Sequence, residues 1–179
     1  TRPGLDGGHC IGRRLSAGCR AMAAHTGNTA LHSPEGPSPS SLDRFVRAQE
    51  RDYAQALAEL KAGRKRTHWI WYILPQLRDL GRSPMAREYG IEGRGEAAAY
   101  LAHPVLGPRL VACVHAILGN ADRSAVEILG EVDAMKFRSC LTLFDAVAPG
   151  EPCFANALQV FYDGKPDAET LRLLDPSAG

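Results

Sequence analysis

The chain has 179 residues, of which 45% are apolar, enough for one hydrophobic core of ordinary domain size. Its formal net charge of +1 gives no electrostatic support for nucleic acid or an anionic membrane as a partner. No apolar run reaches the length that a membrane-spanning helix requires, so the sequence predicts a globular chain without a membrane association.

Residues 1–41 differ in composition from the rest of the chain. They are rich in Gly, Ser and Pro, show almost no apolar periodicity, and end in SPEGPSPSS, so they predict a disordered tail. The Arg13-Arg14 pair is not followed by the apolar segment of an export signal. Because the tail is rich in arginine and poor in acidic residues, organellar targeting remains an alternative to a cytoplasmic location.

A helical domain is predicted from residue 42 to residue 179. Its first helix has apolar residues at steps of three and four from Leu42 onward, with Ser41 as the predicted cap and Gly63 as the left-handed stop. Further helices are predicted over approximately 66–73, 84–89, 96–102, 108–118, 124–130, 133–147, 151–164 and 167–174. No segment alternates apolar and polar residues as a half-exposed strand would, so we expect a compact all-α fold of seven to nine helices.

The five cysteines are odd in number and form no Cys-x-x-Cys pair. Cys113, Cys140 and Cys153 lie among apolar residues, where a free thiol behaves as a small hydrophobe. This usage predicts a reducing, cytoplasmic compartment. Cysteine and histidine show no zinc spacing, and we predict no metal and no cofactor. Cys140 has no paired base in the sequence, which argues against a nucleophilic role.

The stretch GRKRTHWIWYILPQL, residues 63–77, combines cations with both tryptophans of the chain. Arg64 and Lys65 either stabilise the end of the preceding helix or bind an anion. On a helix, His68, Trp71 and Tyr72 would share a polar-aromatic face, while Trp69 and Ile73 would pack on the core. We expect Trp71 and Gln76 to contribute to a ligand site, although aromatic pairs at this spacing also occur in cores.

Three further positions have one structural and one functional interpretation. Gln49 lies on the apolar stripe of the first helix, so it either braces a neighbouring backbone or faces a polar cavity. His103 either caps the next helix or acts as an acid–base group. Asp133, Lys136 and Ser139 share one helix side, which is either a solvated salt-bridging face or a polar lining opposite the tryptophans.

Five segments, in this order, resemble the domain of unknown function 1810 family over residues 42–174. They are RFVRAQ (44–49), ALAELKAGRKRTHWIWYILPQL (56–77), GRSPMAREYGI (81–91), AAAYLAHPVLGPRL (97–110) and KFRSCLTLF (136–144). The resemblance implies a compact, multihelical, intracellular protein, and some members carry a calpastatin label. It marks more polar residues than a packed core needs: Gln49, Lys65, His68, Gln76, Ser83, His103, Arg109, Lys136 and Ser139. Cys140 departs from the family, which favours serine there.

The sequence is compatible with two functions. One is binding of a phosphorylated small molecule of nucleotide or ADP-ribose type, with hydrolysis as a further hypothesis. The ligand-binding candidates are then Gln49, Arg64, Lys65, His68, Trp71, Gln76, Ser83, His103, Arg109, Lys136 and Ser139, and His68 and His103 are the candidate acid–base groups. The alternative is a non-enzymatic protein-interaction module that uses an open apolar patch.

Overall fold

The computed structural model describes the backbone of residues 39–175 and side chains from residue 42 onward. This range forms nine α-helices: α1 Pro39–Lys61, α2 Ile70–Ile73, α3 Pro84–Glu88, α4 Arg94–Ala102, α5 Leu106–Leu118, α6 Ala125–Leu129, α7 Glu131–Val147, α8 Pro152–Tyr162 and α9 Ala168–Leu174. A 3₁₀ turn spans Arg78–Leu80, and within the described residues no strand forms beyond one isolated bridge between Leu77 and Ile91. The predicted all-α fold is confirmed.

Helix α1 begins at Pro39, three residues before the predicted start of the domain. Its buried stripe includes Leu42, Phe45 and Leu60. The helix ends as predicted, because Gly63 adopts φ +64° and a Cβ there would lie 2.5 Å from Asn120 Oδ1. Ser41 lies inside α1, so the prediction that it caps the helix is wrong. The Arg13-Arg14 pair, Cys10 and Cys19 lie outside the described residues.

The core lies around α7, which packs against α4, α6, α8 and α9, while α1 packs against α5 and α2. Tyr100 links the two sides, with its ring centroid 5.0 Å from that of Phe45 and 5.5 Å from that of Phe144. Cys140 is fully buried in this core, and burial raises the pKa of its thiol well above the ordinary value. The thiolate needed for nucleophilic chemistry is therefore disfavoured at this position.

The helix predicted over 66–73 forms only at its C-terminal end, as α2. The amides of Arg66 and Thr67 donate to Glu59 Oε2 at 2.8 and 3.1 Å, and the amide of Lys65 donates to the carbonyl of Ile128 at 2.7 Å. These long-range bonds hold the segment in a non-helical path. The local periodicity predicted the wrong structure here because the amides have partners on other elements.

Residues 76–91 form a closed loop that carries the 3₁₀ turn and α3. Its ends are joined by hydrogen bonds from the Ile91 amide to the Gln76 carbonyl and from the Arg78 amide to the Ile91 carbonyl, both 2.9 Å. Gly81 approaches α3 so closely that a Cβ would lie 2.2 Å from that of Ala86. We refer to this segment as the 76–91 loop.

In residues 39–175 no single helix has the length and apolar composition to cross a membrane. Only α4 and α5 taken together would meet those criteria, and they meet at an 88° bend.

Candidate functional site

An open cleft of about 450 Å³ lies between the 76–91 loop, α7 and the start of α9. Its size is in the range of small-molecule sites. Because Trp71 forms one of its walls, we refer to it as the Trp71 cleft. The full lining is Trp71, Gln76, Leu80, Gly81, Arg82, Ser83, Ala86, Val132, Met135, Lys136, Ser139, Asp167 and Glu169.

The two tryptophans have different environments. Trp69 is 1% exposed and its Nε1 donates to Glu59 Oε2 at 2.9 Å, so it belongs to the core. Trp71 is only partly buried, and its indole N–H has no hydrogen-bond partner among the described residues. Lys136 Nζ lies 4.7 Å from the centre of the Trp71 ring. The indole of Trp71 therefore offers both ring surface and an unused donor to the cleft.

Lys136 belongs to a short chain of charges that joins α7 to the segment after α1. Asp133 accepts from Lys136 Nζ at 2.9 Å and from Lys65 Nζ at 2.8 Å. Burial alone would raise the pKa of Asp133, but hydrogen bonds from the two lysines outweigh it and lower that pKa. The carboxylate thus stays ionised, and the three groups carry a net charge of +1 beside Trp71.

Three polar side chains from the 76–91 loop and α7 differ in whether they already form a hydrogen bond within the protein. The side-chain amide of Gln76 has no hydrogen-bond partner within residues 42–175. Ser83 Oγ accepts from the Ala86 amide at 3.1 Å and so caps α3. Ser139 Oγ donates to the Met135 carbonyl at 3.3 Å, one turn earlier in α7. Of these three side chains, Gln76 is the one whose hydrogen-bonding groups are available to a ligand.

The carboxylates on the α9 side of the cleft are committed to the protein. Asp167 caps α9, accepting from the amide of Thr170 at 2.9 Å and from its hydroxyl at 2.6 Å. Glu169 pairs with Arg172 through two hydrogen bonds of 2.8 and 2.5 Å. Neither group is arranged as an uncommitted general base.

The two histidines proposed as acid–base groups do not line the Trp71 cleft. His68 is exposed, in the non-helical segment before α2. His103 caps α5, because its Nδ1 accepts from the amides of Val105 and Leu106 at 3.2 and 3.3 Å. This geometry corresponds to the structural interpretation of His103.

Four predicted binding residues also lie outside this cleft. Gln49 Nε2 donates to the Tyr72 carbonyl at 2.7 Å and to Tyr100 Oη at 2.8 Å, which braces α1 against α2 and α4. The guanidinium of Arg109 lies 4.6 Å from the ring centre of Tyr53, and its Nη1 donates to Gln49 Oε1 at 3.5 Å. Lys65 is held by Asp133 and by the Thr67 carbonyl at 2.6 Å. Arg64 is exposed on the surface.

Metal ligands are not clustered in the part of the chain that the structure describes. No group of three or more His, Cys, Asp or Glu side chains there is arranged to hold a metal ion.

A family model described as a protein of unknown function, DUF1810, matches residues 39–174. The chain belongs to this family. It is also similar to a solved structure, the crystal structure of the conserved hypothetical protein Rv1873 from Mycobacterium tuberculosis at 1.38 Å. The two are 45% identical, with a TM-score of 0.74 over 76% of this chain and 97% of that one. No curated protein matches significantly, and the comparisons support no calpastatin label.

The polar residues marked by the DUF1810 resemblance therefore separate into two sets. Gln76, Ser83, Lys136 and Ser139 meet Trp71 in one cleft, whereas the others lie elsewhere in the fold.

Sequence reasoning missed several residues that line the same cleft, namely Leu80, Gly81, Arg82, Val132, Met135, Asp167 and Glu169. Arg82 was detectable, since it lies inside the GRSPMAREYGI stretch. The residues of α7 and of the start of α9 carry no local signal, because they meet at the cleft through the packing of α9 against α7 and the 3₁₀ turn.

Proposed function

We propose that this DUF1810 protein binds a small molecule with a flat ring and a phosphate group, of the nucleotide or ADP-ribose type, in the Trp71 cleft. The observation that carries the proposal is the pairing of Trp71 and Gln76. Both line one cleft, and neither the indole N–H nor the side-chain amide has an intramolecular partner in the described residues.

Trp71 and Gln76 are suited to bind the flat ring of the ligand. An indole face stacks on a nucleobase without regard to its identity, at about 1–3 kcal/mol per base. An amide supplies both a donor and an acceptor, which matches the mixed edge of a heterocyclic base. The indole N–H and the Gln76 amide have no partner among the described residues, so a ring that bonds to them displaces no internal hydrogen bond.

An anion is favoured by the cations of the cleft. Lys136 lies against Trp71, and Arg82 lines the same cleft from the loop side. The acidic residues opposite them are engaged, Asp167 as a helix cap and Glu169 with Arg172. Lys136 is shared with Asp133, so Arg82, which has no ion-pair partner among the described residues, is the cation most available to a phosphate.

Binding is proposed in preference to hydrolysis. The candidate acid–base groups, His68 and His103, do not line the cleft, and the imidazole of His103 is used as a helix cap. General acid–base catalysis requires such a group within hydrogen-bond reach of the reacting atom. The geometry therefore supports a ligand-binding protein better than an enzyme that uses either histidine.

A second candidate, a protein-interaction module, is favoured by one observation. Val132 and Met135 are 59% and 64% exposed on the same side of α7 and border the cleft. Exposed apolar residues beside a partly open tryptophan are typical of a peptide-binding surface. A peptide would use Val132 and Met135 as contacts, whereas a nucleotide would depend on Trp71 and Gln76.

Calorimetric titration with adenosine diphosphate and ADP-ribose would test the proposal. Trp71→Ala should weaken binding by about tenfold or more, on the scale of a lost stacked base, while Trp71→Phe keeps a ring and loses only the N–H, so it should weaken binding less. Val160→Ala, which truncates an exposed side chain on α8 outside the cleft, is the control. Melting curves must show each variant folded. Equal affinities for the wild type and folded Trp71→Ala would contradict the proposal.

A further inference from the structure

A second cavity of about 440 Å³ adjoins the Trp71 cleft. It is lined by Arg78, Asp79, Gly81, Arg82 and Arg87, and we refer to it as the arginine recess. Gly81 and Arg82 line both cavities. A ligand that occupies the Trp71 cleft would therefore have a path into the recess along the 76–91 loop.

The three arginines of the recess have unused hydrogen-bonding capacity. Arg82 and Arg87 are exposed and form no ion pair within residues 42–175. Arg78 pairs with Glu92 at 2.8 Å, but its Nε–H is buried and has no acceptor in the described structure. Three guanidiniums thus face the carboxylates of Asp79 and Glu92, which leaves a net charge of +1.

The backbone of the 76–91 loop fixes where these arginines lie. Arg78 begins the 3₁₀ turn and its amide donates to the Ile91 carbonyl, Arg82 follows the close contact at Gly81, and Arg87 lies on α3. Hydrogen bonds join the two ends of the loop, so the three arginines that line the recess belong to one compact segment. The closed backbone lowers the entropy cost of binding, whereas the exposed side chains of Arg82 and Arg87 are ordered only when a ligand binds.

We propose that the arginine recess binds the phosphate groups of the ligand, and that the ligand class is the nucleoside diphosphates. This inference rests on the proposed function, since it assigns the ring to Trp71 and the diphosphate to the recess. Arginine presents planar paired donors that match phosphate oxygens. Lys136 is less suited to be the main anion site because Asp133 already balances it. One phosphate would not use three guanidiniums fully, whereas two adjacent phosphates would.

Inorganic pyrophosphate and adenosine diphosphate are the probes for the test, titrated by calorimetry at low salt. The variant is Arg82→Gln combined with Arg87→Gln, which removes two exposed guanidiniums and keeps the buried contacts of the loop. The matched control is Arg47→Gln combined with Lys61→Gln, which removes the same charge from exposed positions of α1 outside the recess. Each folded variant is also titrated with added salt, which screens charge contacts.

The recess variant should lose measurable pyrophosphate binding and weaken adenosine diphosphate binding by about tenfold or more, the scale of a lost charge-assisted contact. The α1 control should bind as the wild type does. The inference is overturned if pyrophosphate fails to bind the wild type, or binds the wild type and the recess variant equally.

Trp71→Ala in the same titrations separates this inference from the proposed function. If Trp71→Ala weakens adenosine diphosphate binding and the arginine variant does not, the recess assignment fails while the cleft remains the site. If the arginine variant alone weakens both probes, the recess binds phosphate and the ring does not lie on Trp71.

Discussion

Trp69 Nε1 donates a hydrogen bond to Glu59 Oε2 over 2.9 Å, and this bond joins the end of α1 to the start of α2. Glu59 is 4% exposed, and its two oxygens also accept from Gln55, Arg66 and Thr67. The indole of Trp69 is thereby fixed in the core. Trp71, two residues further along the short helix, projects from a different side and lines the cleft.

Replacing Glu59 should therefore destabilise the fold. Glu59→Gln puts an amide donor among groups that are themselves donors, so at least one buried hydrogen bond is lost. We expect the free energy of unfolding to fall by about 2–3 kcal/mol, the scale of hydrogen bonds to a charged group. Urea denaturation measures the change, and Glu50→Gln, exposed on the same helix, is the control. A loss no larger than that of the control would contradict the structural role of Glu59.

The same carboxylate predicts a pH dependence. Burial would raise the pKa of Glu59, but hydrogen bonds from Arg66, Gln55, Trp69 and Thr67 outweigh it and lower the pKa from 4.5 to about 2. Because the folded pKa lies below the unfolded one, the contribution is complete above pH 4.5 and is lost as pH falls towards 2. The stability difference between wild type and Glu59→Gln should shrink over that interval. Urea denaturation at several pH values checks this, and a constant difference would contradict it.

Gln49 is predicted to act on stability and not on ligand binding. Gln49→Leu leaves Tyr100 Oη without its 2.8 Å partner and removes the stronger donor to the Tyr72 carbonyl. We expect a loss of about 1–3 kcal/mol in unfolding free energy with unchanged affinity for adenosine diphosphate. Gln159→Leu, on the exposed side of α8, is the control. Weaker binding by a folded Gln49→Leu protein would place Gln49 in the ligand site instead.

Gly81 is predicted to position the 76–91 loop. A Cβ at this residue would lie 2.2 Å from the Cβ of Ala86, so Gly81→Ala must displace the 3₁₀ turn from α3. Overpacking of this kind costs about 1–3 kcal/mol, and the displaced loop should also bind adenosine diphosphate more weakly. Gly150→Ala is the control, since a Cβ there would meet no atom within 4 Å. Thermal denaturation and calorimetry give both values, and an unperturbed Gly81→Ala protein would show that this close contact is not required.

The helices with clear apolar periodicity could be predicted from the sequence, and α1 is the best case. The segment 66–73 could not, because Glu59 and Ile128 provide distant acceptors for its amides. Likewise, Trp71, Gln76 and Lys136 could be singled out as unusual polar or aromatic residues. These residues line one cleft together with Val132 and Asp167 only because α7 and α9 pack near them. The local sequence contains no signal for that packing.

The arginine recess could not be predicted from the local sequence either. Arg78 lies on a 3₁₀ turn, Arg82 in an irregular connection and Arg87 on a short helix, so no single periodicity groups them. Only the hydrogen bonds that close the 76–91 loop bring them together.

The most direct test of ligand binding at Trp71 is a nuclear magnetic resonance titration of the two indole N–H groups with adenosine diphosphate. The chain has two tryptophans, so two signals are expected, and Trp71→Phe assigns them. Trp69 is bonded to Glu59 inside the core, whereas the Trp71 indole N–H has no partner among the described residues. The proposed site predicts that added ligand shifts the Trp71 signal and leaves the Trp69 signal in place. A titration in which the ligand binds while the Trp71 signal stays unchanged would contradict it.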